Sequence, residues 1–184
     1  MSAGPGAVVA FVGLGSNLGD REAALAAAAL RLARLDGTRL SALSSVYETA
    51  PVGGPPGQPP FLNAVAAVET ALSPRRLLDG LLAIERDLGR IRGPERNGPR
   101  TIDLDLLLHG DSRLRAGEDL EVPHPRLSSR AFVLVPLAEI APGAILPGTG
   151  GATPEKLLAR LDARGVRRLG PFPLSLPAAS APGR

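Results

Sequence analysis

Cysteine is missing from this chain of 184 residues. Its absence excludes disulfide bonds, zinc sites built from thiolates and a cysteine nucleophile. A chain without cysteine also fits a reducing environment. We therefore expect a cytoplasmic protein.

Long apolar segments are missing as well. The apolar run at residues 7–14 is too short for a signal-peptide core or a membrane span, and no basic region precedes it. With 44% hydrophobic and 21% charged residues, the composition is ordinary for a globular protein of one domain. We expect a single domain at residues 1–170 that does not associate with membranes.

Aromatic residues are scarce, and so is lysine. The chain has four phenylalanines and one tyrosine, and Lys156 is the only lysine among 21 basic residues. A net charge of +3 does not by itself indicate nucleic-acid binding. Sheets that bind RNA expose several stacking aromatics, which this chain cannot supply on one strand. We therefore expect no nucleic-acid partner, although arginine excess can favour smaller anionic ligands.

The most informative segment is Gly98 to Gly110, with the sequence Gly-Pro-Arg-Thr-Ile-Asp-Leu-Asp-Leu-Leu-Leu-His-Gly. Side chains alternate between the two faces of a strand, so Asp103 and Asp105 share one face, opposite Ile102 and Leu104. Such a pattern is also common on solvent-facing strand surfaces. However, two neighbouring like charges repel, and the arrangement is unfavourable unless a cation or nearby arginines compensate it.

Four arginines precede the aspartates, and they suit a phosphate ligand. Paired carboxylates with phosphate oxygens and water are the ligands that Mg²⁺ prefers. Guanidinium groups bind phosphate oxygens through two parallel hydrogen bonds. The combination indicates a magnesium-dependent site for a polyphosphate. The arginines are Arg90, Arg92, Arg96 and Arg100.

The order of predicted elements indicates an α+β fold. Apolar periodicity and turn residues predict strands at residues 7–14, 39–49, 61–70 and 102–108, and helices at residues 20–35 and 74–88. Strand, helix, strand, strand, helix, strand is the ferredoxin-like βαββαβ order, with an antiparallel sheet and both helices on one face. The other face is then available for the site. Short strands and helices follow as a C-terminal extension, and the Pro/Ala-rich tail at residues 171–184 is expected to be disordered.

Two loops allow more than one interpretation. The turn at residues 13–20 links a strand to a helix, but it matches neither the P-loop nor the dinucleotide-binding pattern. A phosphate-binding turn and a purely structural turn, with Asn17 or Asp20 capping the helix, both remain open. The loop at residues 50–60 contains five prolines and three glycines among eleven positions, and it is either a connector or a loop that covers the substrate.

Taken together, these segments resemble the 6-hydroxymethyl-7,8-dihydropterin pyrophosphokinase family of folate biosynthesis. Four blocks carry the resemblance: residues 13–20, 45–63, 85–110 and 122–142. The run Gly-Pro-Arg-Thr-Ile-Asp-Leu-Asp is its most specific part. The family transfers pyrophosphate from ATP to the hydroxymethyl group of the reduced pterin, releases AMP and uses two Mg²⁺ ions.

The resemblance implies a role for each matching residue. Asp103 and Asp105 are expected to bind the two metal ions, and Arg90 and Arg100 to assist the transition state. The residues expected to contact ATP are Glu85, Arg92, Arg96, Ile102, His124 and Arg130. The residues expected to contact the pterin are Thr49, Val52, Phe61, Asn63 and Phe132, the two phenylalanines stacking on either side of the ring. ATP and the reduced pterin are the expected partners of a monomeric enzyme.

The chain departs from the family at one position of interest. Asn97 stands where the family frequently has tryptophan, so an apolar cover over the substrates is missing. Two other functions compete with this interpretation: a different magnesium-dependent nucleotidyl or phosphoryl transferase, and a ferredoxin-like RNA-binding module. The second is disfavoured because two aspartates on the candidate face repel phosphate unless a metal is bound.

Overall fold

The computed structural model describes residues 6–91 and 97–174. The strands are β1 (Val8–Ser16), β2 (Thr38–Leu43), β3 (Val46–Thr49), β4 (Phe61–Thr70), β5 (Asp103–His109), β6 (Leu114–Ala116), β7 (Leu120–Val122) and β8 (Arg167–Gly170). The helices are α1 (Arg21–Leu32), α2 (Pro74–Asp87), α3 (Ala131–Ile140) and α4 (Pro154–Leu158), with a 3₁₀ turn at Leu127–Ser129. Within these residues, no helix is long and apolar enough to span a membrane.

The main sheet is antiparallel, with the strand order β5-β1-β4-β3-β8, and β2 also pairs with β4. Without β8, and with β2 and β3 taken as one strand, this is the ferredoxin-like order. The predicted α+β class and antiparallel βαββαβ core are therefore confirmed. Strands β6 and β7 form a separate hairpin.

Helices α1 and α2 cover one face of the sheet. The Asp20 side chain caps α1 by accepting a hydrogen bond from the Ala23 N–H at 3.0 Å, and Ser73 with Pro74 begins α2 as predicted. The apolar stripes of both helices meet the inward-facing residues of β1 and β5, which removes them from water. This core includes Ala10, Val12, Leu14, Leu25, Leu32, Leu77, Leu81, Leu104 and Leu106.

Helix α3 covers part of the opposite face. Its residues Val133, Leu134 and Leu137 form a second apolar cluster with Val65 of β4 and Leu107 of β5. A proline usually ends a helix at the preceding residue, but α3 continues to Ile140 with Pro136 inside it. Burial of its apolar residues compensates for the backbone hydrogen bond that proline cannot donate.

The strand predicted at residues 39–49 is divided in two by Ser44 and Ser45. Ser44 donates its N–H to the Val65 carbonyl at 2.9 Å, and its hydroxyl accepts from the Val65 N–H at 2.9 Å. The break therefore leaves no unpaired polar backbone group on Val65 of β4. A serine pair inside an alternating pattern carries no signal that distinguishes such a break from a continuous strand.

The described residues continue past the predicted domain boundary at residue 170. Strand β8, which the sequence did not predict, pairs with β3, and Phe172 is 9% exposed in the core on the α1 and α2 face. One buried aromatic ring outweighs the polar and proline-rich composition around it. The remaining part of the predicted tail, residues 175–184, lies outside the described residues.

A carboxylate on α3 binds the chain where β3 begins. Glu139 accepts hydrogen bonds from the Ser45 N–H at 2.8 Å, the Ser45 hydroxyl at 2.6 Å and the Tyr47 hydroxyl at 2.9 Å. Arg168 of β8 donates to the same Ser45 hydroxyl at 3.0 Å. Burial raises the pKa of Glu139, but the hydrogen bonds from Ser45 and Tyr47 outweigh it, so the pKa lies below its usual value.

Glu139→Gln is expected to destabilise the fold by about 1 kcal/mol at pH 7, because an amide nitrogen cannot accept the hydrogen bonds. A carboxyl whose pKa is lowered by folding stabilises the protein above its unfolded pKa of about 4.3, and the benefit disappears as the pH falls through the folded pKa. The difference between wild type and variant should therefore shrink on acidification. Urea unfolding at pH 7 and near pH 4 measures it, and a constant difference would contradict the assigned role of the charge.

Candidate active site

A pocket of about 570 Å³ lies where four strands of the antiparallel sheet begin or end. Strands β1 and β3 end there, while β4 and β5 begin there, because neighbouring strands run in opposite directions. The pocket continues past the edge strand β5 to Leu78 and Leu82 of α2. Eleven of the residues predicted from the sequence line it: Thr49, Val52, Phe61, Asn63, Glu85, Arg90, Arg100, Asp103, Asp105, Arg130 and Phe132.

The two aspartates face the floor of this pocket. Gly15 of β1 pairs with Asp103 of β5, and Gly13 pairs with Asp105. Residues paired directly across a sheet place their side chains on the same face. Since the two glycines have no side chain, the space beside both carboxylates stays open to a ligand.

Asp103 is held by two arginines from the segment before β5. Arg90 binds Oδ1 of Asp103 through its Nη1 atom, and Arg100 binds Oδ2 at 2.8 Å. The side chains of all three residues are largely withdrawn from solvent. The arginines therefore supply the compensating charge that the pair of aspartates requires.

Asp105 has weaker partners. Its Oδ2 atom lies 3.4 Å from Nη1 of Arg130 and 4.0 Å from Nε2 of His124. Burial and the neighbouring Asp103 raise the pKa of Asp105 above its ordinary value, although His124 and the arginines act in the opposite direction. A further positive charge at this position would relieve that imbalance.

His124 is oriented by the turn that follows it. Its Nδ1 atom accepts a hydrogen bond from the Arg126 N–H at 3.1 Å, so the neutral ring carries its proton on Nε2, on the side of Asp105. Burial lowers the pKa of His124, which opposes the attraction of Asp105. The neutral imidazole can therefore donate a hydrogen bond toward an anion in the pocket.

Glu85 lies beneath Arg90 and is 2% exposed. Its Oε1 atom accepts from the Leu104 N–H at 2.8 Å and also binds Arg90. Burial lowers the pKa of Arg90, but Asp103 and Glu85 together outweigh it and raise the pKa. Glu85 thus orients an arginine and the backbone between the two aspartates.

Each phenylalanine of the predicted pair carries an arginine near its ring. The guanidinium carbon of Arg100 lies 5.3 Å from the ring centre of Phe61, and that of Arg130 lies 5.3 Å from the ring centre of Phe132. These are cation–π distances. Two of the three arginines that contact the aspartates are therefore also in contact with the aromatic residues.

Asn63 and Thr49 form a polar corner on neighbouring strands. The Asn63 amide nitrogen donates to the Thr49 hydroxyl at 2.8 Å, and both residues are 7% exposed. The bond leaves the Asn63 Oδ1 atom as an acceptor on the side of Gly15. Val52 lies at the pocket on the loop at residues 50–60 and is 73% exposed.

Ile102, a predicted nucleotide contact, does not line the pocket with its side chain. The Ile102 side chain is 0% exposed and belongs to the core between the sheet and the helices α1 and α2. Strand alternation places it opposite the aspartates, so its side chain cannot contact a ligand beside them. Arg92 and Arg96 lie outside the described residues.

Sequence reasoning missed several pocket residues. Arg126 and Ser129 come from the turn before α3, and Asp119 comes from the β6–β7 hairpin, where Arg75 binds both of its carboxylate oxygens at 2.7 Å and 3.0 Å. Arg126 follows the run Pro123-His124-Pro125, and two prolines so close together indicate a rigid turn, which was the available signal. No sequence pattern indicated Asp119, because its place at the pocket depends on how the β6–β7 hairpin packs beside α2.

Gly15→Ala is expected to leave the fold intact and to raise the KM for the substrate bound beside Asn63 by about tenfold, since a filled pocket weakens binding by roughly 1.4 kcal/mol. A Cβ atom at this position would lie 3.4 Å from Asn63 Oδ1 and 3.8 Å from Asp103 Cβ, so it fits but occupies the floor of the pocket. Steady-state kinetics with thermal unfolding measure this effect. An unchanged KM would show that the ligand does not use the floor.

The carboxylates of the pocket suit a metal ion that takes its other ligands from the substrate. Among the described residues, no group of three or more His, Cys, Asp or Glu side chains could hold a metal ion. Asp103 and Asp105 alone offer two carboxylates beside an open floor. Mg²⁺ commonly takes one or two carboxylates, with phosphate oxygens and water as its other ligands.

Comparison with known proteins agrees with this arrangement. Residues 11–142 match the family model described as 7,8-dihydro-6-hydroxymethylpterin-pyrophosphokinase. The 2-amino-4-hydroxy-6-hydroxymethyldihydropteridine pyrophosphokinase of Pseudomonas aeruginosa is 48% identical over 159 residues, covering 86% of this chain and 95% of that protein. The protein of the same name from Methylorubrum extorquens is 46% identical over 160 residues, covering 87% and 98%.

Solved structures share the fold at low sequence identity. Wild-type Plasmodium falciparum HPPK-DHPS with pteroate superposes with a TM-score of 0.63 at 16% identity, covering 87% of this chain. The chain spans less than half of the length of that solved chain, 43%. The family match and the similarity over nearly the whole of the bacterial relatives show that this chain belongs to the 7,8-dihydro-6-hydroxymethylpterin-pyrophosphokinase family.

Proposed function

We propose that the pocket between β1, β4, β5 and α3 carries out the reaction for which the family is named. The reaction transfers pyrophosphate from ATP to 6-hydroxymethyl-7,8-dihydropterin on the route to folate. The hydroxymethyl oxygen forms a bond to the β-phosphorus of ATP, the bond from that phosphorus to the oxygen bridging it to the α-phosphate breaks, and AMP leaves. The hydroxyl proton is lost to solvent or to a phosphate oxygen.

Asp103 and Asp105 are the proposed ligands of two Mg²⁺ ions. They share a face, they lie beside the open floor at Gly13 and Gly15, and burial with mutual repulsion disfavours two bare carboxylates there. Bound metal would neutralise charge on the transferred phosphate oxygens and orient the attacking hydroxyl. The protein's own part is to hold the two carboxylates at fixed positions on a rigid strand.

Arg90, Arg100 and Arg130 are the proposed cationic ligands of the triphosphate. All three already contact a carboxylate of the aspartate pair or of Glu85, so their side chains reach the place where charge develops. Preorganised cations at that place stabilise the transition state because they need not reorganise during the reaction. His124 would donate from Nε2 to a phosphate oxygen. The resemblance extends the set to Arg92 and Arg96.

The pterin is proposed to bind between Phe61 and Phe132. Asn63 bonds to Thr49 through its amide nitrogen and offers its oxygen as an acceptor, and this corner lies next to Asp103 across Gly15. A flat heteroaromatic ring gains from stacking on two phenyl rings and from one fixed polar partner at its edge. Val52 would cover the ring from the loop at residues 50–60.

One observation carries the proposal. Two aspartates on β5 face the pocket floor with arginines around them, and the polar corner of Asn63 and Thr49 lies on the other side of β1. An ordinary binding module has no need of repelling carboxylates in a pocket with so many cations. We also propose that the enzyme is a cytoplasmic monomer with small molecules as its partners and no nucleic acid among them.

The test is to incubate the purified protein with MgATP and 6-hydroxymethyl-7,8-dihydropterin and to separate the nucleotides by chromatography. AMP with a diphosphorylated pterin is the expected result, and chelation of Mg²⁺ should abolish both products. ADP would instead indicate a kinase that transfers a single phosphate. A nucleotide product that does not depend on the pterin would indicate another magnesium-dependent transferase.

A further inference from the structure

The turn at residues 13–20, for which phosphate binding and a structural role were both open, contains two fully buried polar residues next to the pocket. Ser16 is 0% exposed and Asn17 is 1% exposed, and neither side chain lines the pocket. Buried polar side chains are expensive unless they are fully hydrogen-bonded. Their partners therefore indicate what they do.

The partners on one side belong to the segment that carries Arg100. Asn17 donates its N–H to the Arg100 carbonyl at 3.1 Å, and its side-chain Oδ1 accepts from the Arg100 N–H at 2.8 Å. The Ser16 hydroxyl donates to the Thr101 carbonyl at 2.6 Å. The end of β1 thus fixes the backbone of the arginine that contacts Asp103 and Phe61.

The partners on the other side belong to the loop at residues 50–60. With Oδ1 facing Arg100, the Nδ2 group of Asn17 points to the Pro59 carbonyl at 3.2 Å and to Oε1 of Gln58 at 3.4 Å. This loop also carries Val52. One asparagine therefore bonds both segments that border the pocket.

Gln58 extends the connection. Its Nε2 group donates to the carbonyls of Gly53 and Pro55, each at 3.2 Å, and to the Asn97 carbonyl at 3.1 Å. The loop approaches Asn97 so closely that a Cβ atom on Gly54 would lie 2.3 Å from the Asn97 carbonyl oxygen. The side chain of Gln58 thus joins the loop to the segment just before Arg100.

We propose that Asn17 and Gln58 are positioning residues that fix Arg100 relative to the loop bearing Val52, so that the two substrates meet in the geometry required for transfer. The inference rests on the proposed role of Arg100 at the triphosphate. The carboxamide of Asn17 supplies an acceptor for the Arg100 N–H and a donor for the loop carbonyl of Pro59 at once. Misplacement of a reacting group by about 1 Å can slow a reaction roughly 100-fold.

Asn17→Asp and Gln58→Glu test the connection from its two ends. Each keeps the shape and the acceptor oxygen but replaces the amide donor with an oxygen that faces carbonyl groups. We expect kcat to fall by about 30-fold or more while both KM values change by less than about threefold, because interactions made in the transition state affect kcat. In a double-mutant cycle of Asn17→Asp with Gln58→Ala, kcat of the double variant should lie little below kcat of the slower single variant.

Ser41→Ala is the matched control. Ser41 also donates a side-chain hydrogen bond to a backbone carbonyl, that of Ala67 at 3.0 Å, but on β2 outside the pocket. It should keep wild-type kcat, and thermal unfolding of all variants reports any loss of stability. A purely structural role predicts that kcat per folded molecule is unchanged and that the lost activity returns on cooling.

The inference is overturned if both isosteric variants keep kcat within twofold of wild type, if only KM rises, or if the loss follows the fall in thermal stability. Failure of the proposed function looks different, because wild-type protein would then form no AMP and diphosphorylated pterin. A wild type that transfers pyrophosphate with variants that do so equally well rejects the positioning role alone.

Discussion

Asp105→Asn is expected to lower pyrophosphate transfer at least about 1,000-fold, because several kcal/mol of charge stabilisation depend on the metal that this carboxylate would hold. Asparagine keeps the volume and one acceptor oxygen but removes the charge. Among the described residues, the cationic side chains that contact Asp105 are Arg130 at 3.4 Å and His124 at 4.0 Å, and neither contact is a short ion pair. The variant should therefore fold normally.

The measurement is single-turnover formation of AMP over a range of Mg²⁺ concentrations, with circular dichroism and thermal unfolding as checks of the fold. Asp87→Asn is the control, because Asp87 of α2 forms an exposed ion pair with Arg31 of α1, away from the pocket. It should keep wild-type activity, since exposed ion pairs contribute little. Normal turnover of the Asp105 variant would remove this residue from the mechanism.

Arg100→Lys is expected to lower kcat/KM by about 100-fold, with most of the loss in kcat, a size typical of removing one preorganised donor from a transition state. Lysine keeps the positive charge but loses the planar fork that lets one side chain serve Asp103 and lie over Phe61. The effect therefore separates geometry from charge.

Arg115→Lys provides the matching control. Arg115 lies on the exposed β6–β7 hairpin, where its Nε atom forms a weak surface ion pair with Oε2 of Glu121 at 3.8 Å. Initial rates at varied ATP and varied pterin give the two KM values separately. If Arg100→Lys kept full kcat and raised only the KM for ATP, Arg100 would bind the ground state and the transition state equally.

Much of the site could be predicted from the sequence because its strongest signal is local. Alternation along an extended chain places Asp103 and Asp105 on one face without any knowledge of the neighbouring strands. The caps at Asp20 and Ser73 and the apolar stripes of α1 and α2 are also local, and they predicted the element order. The repulsion between the aspartates correctly indicated that arginines or cations must lie close by.

The roles of several residues could not be predicted, because they depend on which strands pair. Gly13 and Gly15 leave space beside the carboxylates because they pair with Asp105 and Asp103 across the sheet. Each pair is separated by about ninety residues along the chain. Asn17 looked like a helix cap and instead bonds two segments that border the pocket.

The sequence by itself determined the element order, the class of fold and the chemistry of the pocket, since periodicity, caps and the aspartate motif act over a few residues. The tertiary structure decided which arginine binds which aspartate and that the Phe172 side chain is buried. It also decided how the turn after β1 connects the loop at residues 50–60 to Arg100. Those contacts join residues distant along the chain. They form only when the sheet brings its strands into register, and no local pattern encodes that register.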